Sequence, residues 1–408
     1  MDYLKQERER GITIRSAAIS FNWQRSQLNL IDTPGHVDFS GEVARSLRVL
    51  DGAVAILDGV KGVESQTIKV WEQASRQGIP KLCFINKMDR IGSSVARTSE
   101  AIQHFLKVEP LLLQIPVGQG ENFQGVVDLL TMKQLTFGGM YGDEVATTEV
   151  KEGHPLFEEA QRRRSELVER IANYDDLTGE LFLQDEPIAP TVLRASVRRI
   201  LSNQSIHTRV CPILMGSAFK NKGVQPLLDA VAHYLPSPSE RPSIVSSVDP
   251  SVRRQPIKTE RFAGYTFKVV VDREHGPLTY TRVYSGFLKK NSTIFNSSRG
   301  IPEKVGNIFR VRANQYVSVG EATAGDIVAV GGLQETRAGE TLTETGDSDF
   351  VLEGLQLPSA IFTMPLELEA KAKEREMREA VRRHLLEDNS LEVKEEPETG
   401  QLLVSGLG

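Results

Sequence analysis

The sequence predicts an α/β fold: a mainly parallel, doubly covered sheet, followed by a β-barrel domain and an incomplete ferredoxin-like α+β domain. Three observations carry this expectation. From Ala17 to Leu235, apolar strand-like runs alternate with helical patterns, the order that puts helices on both faces of a parallel sheet. From Phe262 to Val330 the pattern changes to short β-rich runs split by Gly, Asn and Asp, as in a small barrel. Beyond residue 358, strand, helix, strand and strand make up most of a split βαβ sandwich. The chain has 408 residues, too many for one ordinary core. The expected division is 1–240 for the α/β domain with an insertion at about 110–210, 241–261 for a linker, 262–345 for the barrel and 358–408 for the last unit.

The stretch Leu28 to Ser40 organises the first domain. Leu28, Leu30 and Ile31 read as the end of a buried strand. Asp32, Thr33, Pro34, Gly35 and His36 break the pattern, and Val37, Val43, Leu47 and Leu50 resume it at helical spacing. A strand that ends in Asp and Gly before a helix is a phosphate-site geometry. Asp32, at the carboxyl end of its strand, is placed to hold Mg²⁺ through water. Gly35 lets a backbone N–H approach a terminal phosphate, and His36 is placed to orient an attacking water.

Two further motifs follow apolar runs. Asn86, Lys87, Met88 and Asp89 succeed the strand Lys81 to Ile85. There the Asp carboxylate accepts hydrogen bonds from the N1–H and exocyclic amine of guanine, a donor pair adenine lacks. Ser217 and Ala218 succeed Ile213 to Met215 and bring a backbone N–H to the guanine carbonyl. Three such motifs in this order point to a guanine-nucleotide site.

The remaining elements fit around these. Ala17 to Trp23 and Gln27 to Ile31 form a hairpin-like pair, and Ala53 to Leu57 is a short strand before Asp58 and Gly59. Ser65 caps a helix Gln66 to Gln77 that Gly78 and Pro80 stop. The insertion opens with strands in Leu111 to Gly118 and Phe123 to Asp128 and continues with helices Glu158 to Tyr174 and Ala189 to Leu201. Arg162 to Arg164 read first as a solvated helix face, with RNA or an acidic partner as the alternative. A helix Val224 to Leu235 closes the domain, and the Pro- and Ser-rich segment to Pro256 suits a surface linker. Cys83 and Cys211 lie in apolar runs and read as buried thiols. A net charge of −5 argues against coating nucleic acid through overall charge, though local basic faces remain available for docking. No apolar run approaches ~20 residues, so no membrane span is expected.

Arg8 to Ile14 (RERGITI), DTPGHVDF, Ser46 to Val54 (SLRVLDGAV) and NKMDR resemble the translational GTPases of the elongation factor G family. The resemblance implies a P-loop-type GTPase domain that uses GTP and Mg²⁺. It implies that Thr13, in the first switch segment, ligates the metal and that His36 is catalytic. Its partners would be the ribosome, through rRNA and stalk proteins, and the chain is expected to be a monomer. The phrases Pro110 to Gly118, Asn221 to Val231 and Gly276 to Gly286 are more similar to the mitochondrial ribosome-releasing branch than to the translocases. That branch works in the mitochondrial matrix with ribosome recycling factor, splitting ribosomes after termination. A translocase and a non-catalytic ribosome-binding fragment are the alternatives. Members of the family carry a first strand, a GxxxxGK[ST] loop and a helix before the first switch, and this motif has no match in the 408 residues. The chain is therefore expected to be truncated at both ends, lacking the phosphate loop before Met1 and two further domains after Gly408. The first residues mix acids and bases and do not resemble a transit peptide.

Overall fold

The computed structural model describes residues 7, 9, 13–36, 39–312, 315–354, 362–366, 374–388, 391–397 and 401–406. The chain divides into two compact units, Leu50–Glu240 on one side and Met1–Val49 with Arg241–Gly408 on the other. In the second of these, β1 (Ala17–Trp23) and β2 (Ser26–Asp32) pair antiparallel, with Ala17 opposite Asp32 and Trp23 opposite Ser26. α1 (Ser40–Leu47) follows, with Val43 and Leu47 buried. Val37 lies outside the described residues. The hairpin-like pairing of Ala17 to Trp23 with Gln27 to Ile31 is found, whereas the reading of Leu28, Leu30 and Ile31 as the end of a buried strand is corrected: β2 belongs to a two-stranded ladder, and Leu30 is 44% exposed. Alternation explains this. On the Gln27, Asn29 and Ile31 face, exposed Gln27 bonds Asp326 at 3.2 Å, half-buried Asn29 bonds the Gly325 carbonyl at 3.3 Å and Ile31 joins a core with Tyr265, Phe267 and Tyr280. Leu28 and Leu30 occupy the opposite face. Ala18 and Val49 enter the same core, so residues expected with the α/β domain cluster with the β-rich one.

Leu50–Glu240 is the α/β unit. In chain order it contains β3 (Ala53–Asp58), α2 (Ser65–Arg76), β4 (Lys81–Asn86), α3 (Val95–Leu106), β5 (Glu109–Leu112), β6 (Gln114–Val117), β7 (Gly125–Asp128), β8 (Lys133–Gly138), β9 (Glu144–Glu149), α4 (Phe157–Ala172), α5 (Asp176–Leu183), α6 (Pro190–Ser202), β10 (Val210–Met215) and α7 (Val224–Tyr234). The parallel sheet has the order β3-β4-β10-β5. Its strands are apolar on both faces, as a doubly covered sheet requires. Leu82, Phe84 and Leu214 pack against α4, α6 and α7 through Leu167, Ile171, Val197 and Tyr234. The alternate residues Cys83, Ile85, Cys211, Ile213 and Met215 pack on the other face with Trp71 of α2 and Ile102 of α3. Both cysteines are free and buried.

Four local expectations change. Residues 109–112 belong to the parallel sheet, so the inserted segment starts after β5, at β6. There β6-β7-β8-β9 form their own antiparallel sheet, of which β8 and β9 were not foreseen. Ser65 is the first residue of α2 rather than its cap; Glu64 holds the cap position without a side-chain bond. α5 was not foreseen either, because its eight residues include Gly179 and show little periodicity. Its cap is Asp175, whose carboxylate accepts Thr178 N–H at 3.1 Å and both Nε and Nη2 of Arg199 at 2.7 Å. Burial works to raise the Asp175 carboxyl, but Arg199, Ser196 and Thr178 outweigh it and hold it at about 2. Because the folded value lies below the unfolded one, this stabilisation is complete above about pH 4 and fades as pH falls towards 2; it amounts to about 2 kcal/mol. Asp175→Asn is expected to lose that much at pH 6 and roughly half as much near pH 3, measured by urea unfolding at both pH values.

Lys81 opens β4 as a buried amine. Its Nζ reaches Ser75 Oγ at 2.9 Å and the Ile79 carbonyl at 3.2 Å, and lies 4.7 Å from the Trp71 ring centroid. Burial pushes its pKa down to about 8.

In the β-rich unit, β11 (Ile244–Val245) and β12 (Arg253–Arg254) pair antiparallel. β13 (Ala263–Asp272), β14 (Gly276–Ser285), β15 (Phe287–Lys289), β16 (Thr293–Asn296), β17 (Ile301–Lys304), β18 (Ile308–Arg312), β19 (Gln315–Val319), β20 (Glu321–Thr323), β21 (Ile327–Gly331) and β22 (Thr341–Glu344) follow. Eight of them form one antiparallel sheet, β17-β16-β22-β13-β14-β21-β18-β19, and β15 pairs with β20. Each face carries a core: Ile327 and Ala329 of β21 join Tyr265, Tyr280 and Phe309, while Val328 and Val330 join Val283, Ile294 and Leu342. The expected surface linker is partly built into this unit. Arg254 is buried, bonds the Phe262 carbonyl at 2.8 Å, pairs with buried Asp347 and stands 4.0 Å over the Phe350 ring. The last elements are β23 (Phe362–Leu366), α8 (Glu374–Glu387), β24 (Glu392–Glu395) and β25 (Leu402–Gly406), with strand order β23-β25-β24. Among the described residues, no helix is long and apolar enough to cross a membrane.

Candidate functional site

β3, β4 and β10 lie side by side and parallel, so the loops after Asp58, Asn86 and Met215 open at one sheet edge, the edge where α/β sheets bind ligands. Asp58 is in register with Asn86. Asn86 holds three loops together: its carbonyl accepts Gly59 N–H at 2.8 Å, and its Oδ1 accepts Lys87 N–H at 2.8 Å and Ala218 N–H at 2.9 Å. Met88 N–H bonds the Gly216 carbonyl at 3.0 Å, while Gly216 N–H bonds the Ile85 carbonyl at 2.9 Å. Gly216 permits this approach because a Cβ there would fall 2.1 Å from the Lys222 carbonyl oxygen. The sequence motifs after β4 and β10 are thus physically joined. Asn86→Ala removes the acceptor for two N–H groups and is expected to destabilise this unit by about 1–2 kcal/mol, with faster amide exchange at Lys87 and Ala218.

Electrostatics suit a base with two donors. Burial works to raise the Asp89 carboxyl, but the Ser217 hydroxyl and Lys220, whose Nζ is 3.3 Å away, keep it below the usual carboxylate range. Asp89 is therefore an ionised acceptor at neutral pH. Lys87, at φ 62°, turns its side chain to Asp58 Oδ2 at 2.6 Å. Asp58 is likewise partly buried, and Lys87 with the N–H groups of Val60 and Lys61 lowers its pKa. Ser217 is buried and Ala218 exposed. One expectation is refined: the Ala218 N–H already bonds Asn86 Oδ1, so a base carbonyl would have to share or displace that bond.

The remaining predicted residues lie in the other unit. Asp32 ends β2, Thr33 is half-buried, Pro34 is buried, and Gly35 and His36 are exposed. A Cβ on Gly35 would meet nothing within 4 Å, so open space lies beside the backbone where a phosphate was expected. The His36 ring is 6.2 Å from that of Phe39, whose N–H bonds the His36 carbonyl at 3.2 Å. Thr13 is half-buried, just before an ionic cluster. There Ser16 Oγ donates to Glu42 at 2.7 Å, Lys268 bonds the Ser16 carbonyl, and Arg15 pairs with Glu387 at 2.9 Å. Thr13 and Asp32 supply a hydroxyl and a carboxylate, hard oxygen donors that suit Mg²⁺, which takes few protein ligands and keeps water. Among the described residues no group of three or more His, Cys, Asp or Glu side chains forms a dedicated metal cage.

The family profile of the elongation factor Tu GTP-binding domain matches residues 1–237, that of elongation factor G domain 2 matches 261–345, and that of elongation factor G domain III matches 357–408. The chain belongs to the elongation factor G family of translational GTPases. It is 44% identical over 415 residues to elongation factor G of Anaplasma phagocytophilum (strain HZ), covering 100% of this chain and 59% of that protein. A crystal structure from Thermus thermophilus superposes with a TM-score of 0.83 at 26% identity, covering 100% of this chain and 58% of that one. This elongation factor G homologue therefore spans somewhat more than half the length of the relatives it matches.

Asp58 and Lys220 are the site residues that sequence reasoning missed. Each pairs with a residue of the Asn86–Asp89 motif. Asp58 carried a signal, an Asp-Gly at the end of an apolar strand; Lys220 carried none beyond its proximity to Ser217.

Proposed function

We propose that this chain is a guanine-nucleotide-binding translation factor that docks on the ribosome and is released by GTP hydrolysis. The observation that carries the reading is the joined edge of Asp58, Asn86, Asp89, Ser217 and Ala218, with the Asp89 carboxyl held ionised. Asp89 accepts from the guanine N1–H and amine, and Asn86 and Ala218 set the position of the carbonyl side. Lys87 and Met88 hold the loop between them. Thr33 and Pro34 shape the turn that presents Gly35 to a terminal phosphate. His36, exposed on that turn, orients the attacking water. Thr13 and Asp32 hold Mg²⁺, which when bound neutralises phosphate charge.

The finer reading is the ribosome-releasing branch, acting in the mitochondrial matrix with ribosome recycling factor; Pro110 to Gly118 and Gly276 to Gly286 support it. The identity to a protein named elongation factor G supports a translocase as the second reading. The test adds chain, GTP and recycling factor to mitochondrial ribosomes and measures phosphate release and free subunits. The proposal expects both, with phosphate release reduced about 100-fold by His36→Ala. Equal rates for the variant would end the His36 assignment. Movement of tRNA without subunit separation would favour the translocase.

A further inference from the structure

We propose that the tip of the β8–β9 hairpin, through Gly142, is the positioning element that holds the 217–222 loop in its base-binding shape. The inference rests on that loop being the guanine loop. Internally the loop is a small ring. Ser217 N–H bonds the Lys222 carbonyl at 2.8 Å, Lys222 N–H bonds the Ser217 carbonyl at 3.0 Å, and Asn221 N–H bonds the Ala218 carbonyl at 3.1 Å. Asn221 and Gly223 are both left-handed, at φ 50° and 85°. A ring closed by so few bonds takes its position from what surrounds it.

The inserted sheet touches it at two turns. At the first, Lys222 Nζ donates to the Phe123 carbonyl at 2.7 Å. At the second, the Gly142 carbonyl accepts Gln225 Nε2 at 3.0 Å, which ties the hairpin tip to the start of α7. Gly142 itself, at φ 66°, lies so close that a Cβ would fall 2.5 Å from the Lys220 carbonyl oxygen and 3.1 Å from that of Asn221. No side chain fits there unless the loop backbone moves. The same Lys220 reaches back to Asp89 at 3.3 Å, so a shift of the loop is felt at the carboxylate that reads the base. The insertion, remote in sequence from both motifs, thereby sets the geometry between them.

The test compares Gly142→Val, Gln225→Ala and Gly139→Ala in the full 408-residue chain. Gly139 is a matched control: it belongs to the same hairpin at φ 76°, but a Cβ there meets only the Asp143 and Glu144 side chains. Amide exchange at Ser217, Asn221 and Lys222 is expected to rise about tenfold in Gly142→Val, the change that follows from roughly 1.4 kcal/mol of lost local protection. Gln225→Ala moves it in the same direction by less, and Gly139→Ala leaves it unchanged. With guanosine and adenosine diphosphates as probes, Gly142→Val lowers the preference for guanosine while Gly139→Ala keeps it. Unchanged loop exchange in both Gly142→Val and Gln225→Ala, or an equal rise in Gly139→Ala, overturns the inference. Should the unaltered chain bind no guanosine diphosphate, the functional reading fails, and the exchange measurement still decides the positioning role.

Discussion

Asp89→Asn is expected to weaken guanosine diphosphate binding by about 100- to 1000-fold and to create affinity for xanthosine diphosphate. The carboxylate is ionised, and in the proposed site it would accept two hydrogen bonds from one edge of guanine. Hydrogen bonds to a charged group are worth about 1.5–3 kcal/mol each, and the loss of most of that gives two to three factors of ten. The Asn amide places an N–H against the guanine amine, a donor facing a donor. Xanthine carries a carbonyl at that position and accepts it. Lys220 loses its partner in the variant, but as a half-exposed side chain it returns to water at little cost. Competition between fluorescent and unlabelled diphosphates measures both affinities. A uniform loss for guanosine and xanthosine alike would mean that Asp89 acts structurally rather than on the base.

The largest stability effect is expected in the other unit, at Asp347→Ala. Arg254 is buried and has Asp347, the Phe262 carbonyl and the Phe350 ring as partners. Arg261 approaches Asp347 at 3.6 Å. Removal of the carboxylate leaves a guanidinium charge in the core, which costs about 3–5 kcal/mol. Arg254→Met combined with Asp347→Leu removes both charges and is expected to recover most of that loss. Urea unfolding of Arg254→Met, Asp347→Leu and the combined variant provides the cycle; additivity of the two single changes would show that the pair is not coupled.

The parallel sheet was legible because its strands are continuous apolar runs bounded by Gly, Pro and Asp, and because each ends in a motif with its own chemistry. Lys81 to Ile85 and Ile213 to Met215 are of this kind, and both fall in buried neighbouring strands. Helix bounds were read within one or two residues where an apolar stripe was long, as for α4 and α6. Elements with a weak hydrophobic signal escaped, and so did α3, although Ile102 and Leu106 are buried and Ser94 caps it. β9 is exposed along its whole length and is held by pairing with β8 rather than by burial. β2 was paired with β1 as expected, but its burial was misread for a different reason. Its alternating pattern says that one face is covered but not by what, and here the covering face uses Asn29 and Gln27 as well as Ile31. At the site, the motif residues could be named one by one. Their mutual bonds, Asn86 to Ala218 and Lys87 to Asp58, could not, because they join positions 132 and 29 residues apart.

Calorimetric titration of the 408-residue chain with guanosine diphosphate and, in parallel, adenosine diphosphate tests the guanine edge most directly. The account predicts saturable binding of the guanosine nucleotide with a preference of about 100-fold or more over adenosine, the discrimination that two well-placed hydrogen bonds provide. Equal affinity for the two, or no binding of either at millimolar concentration, would contradict it.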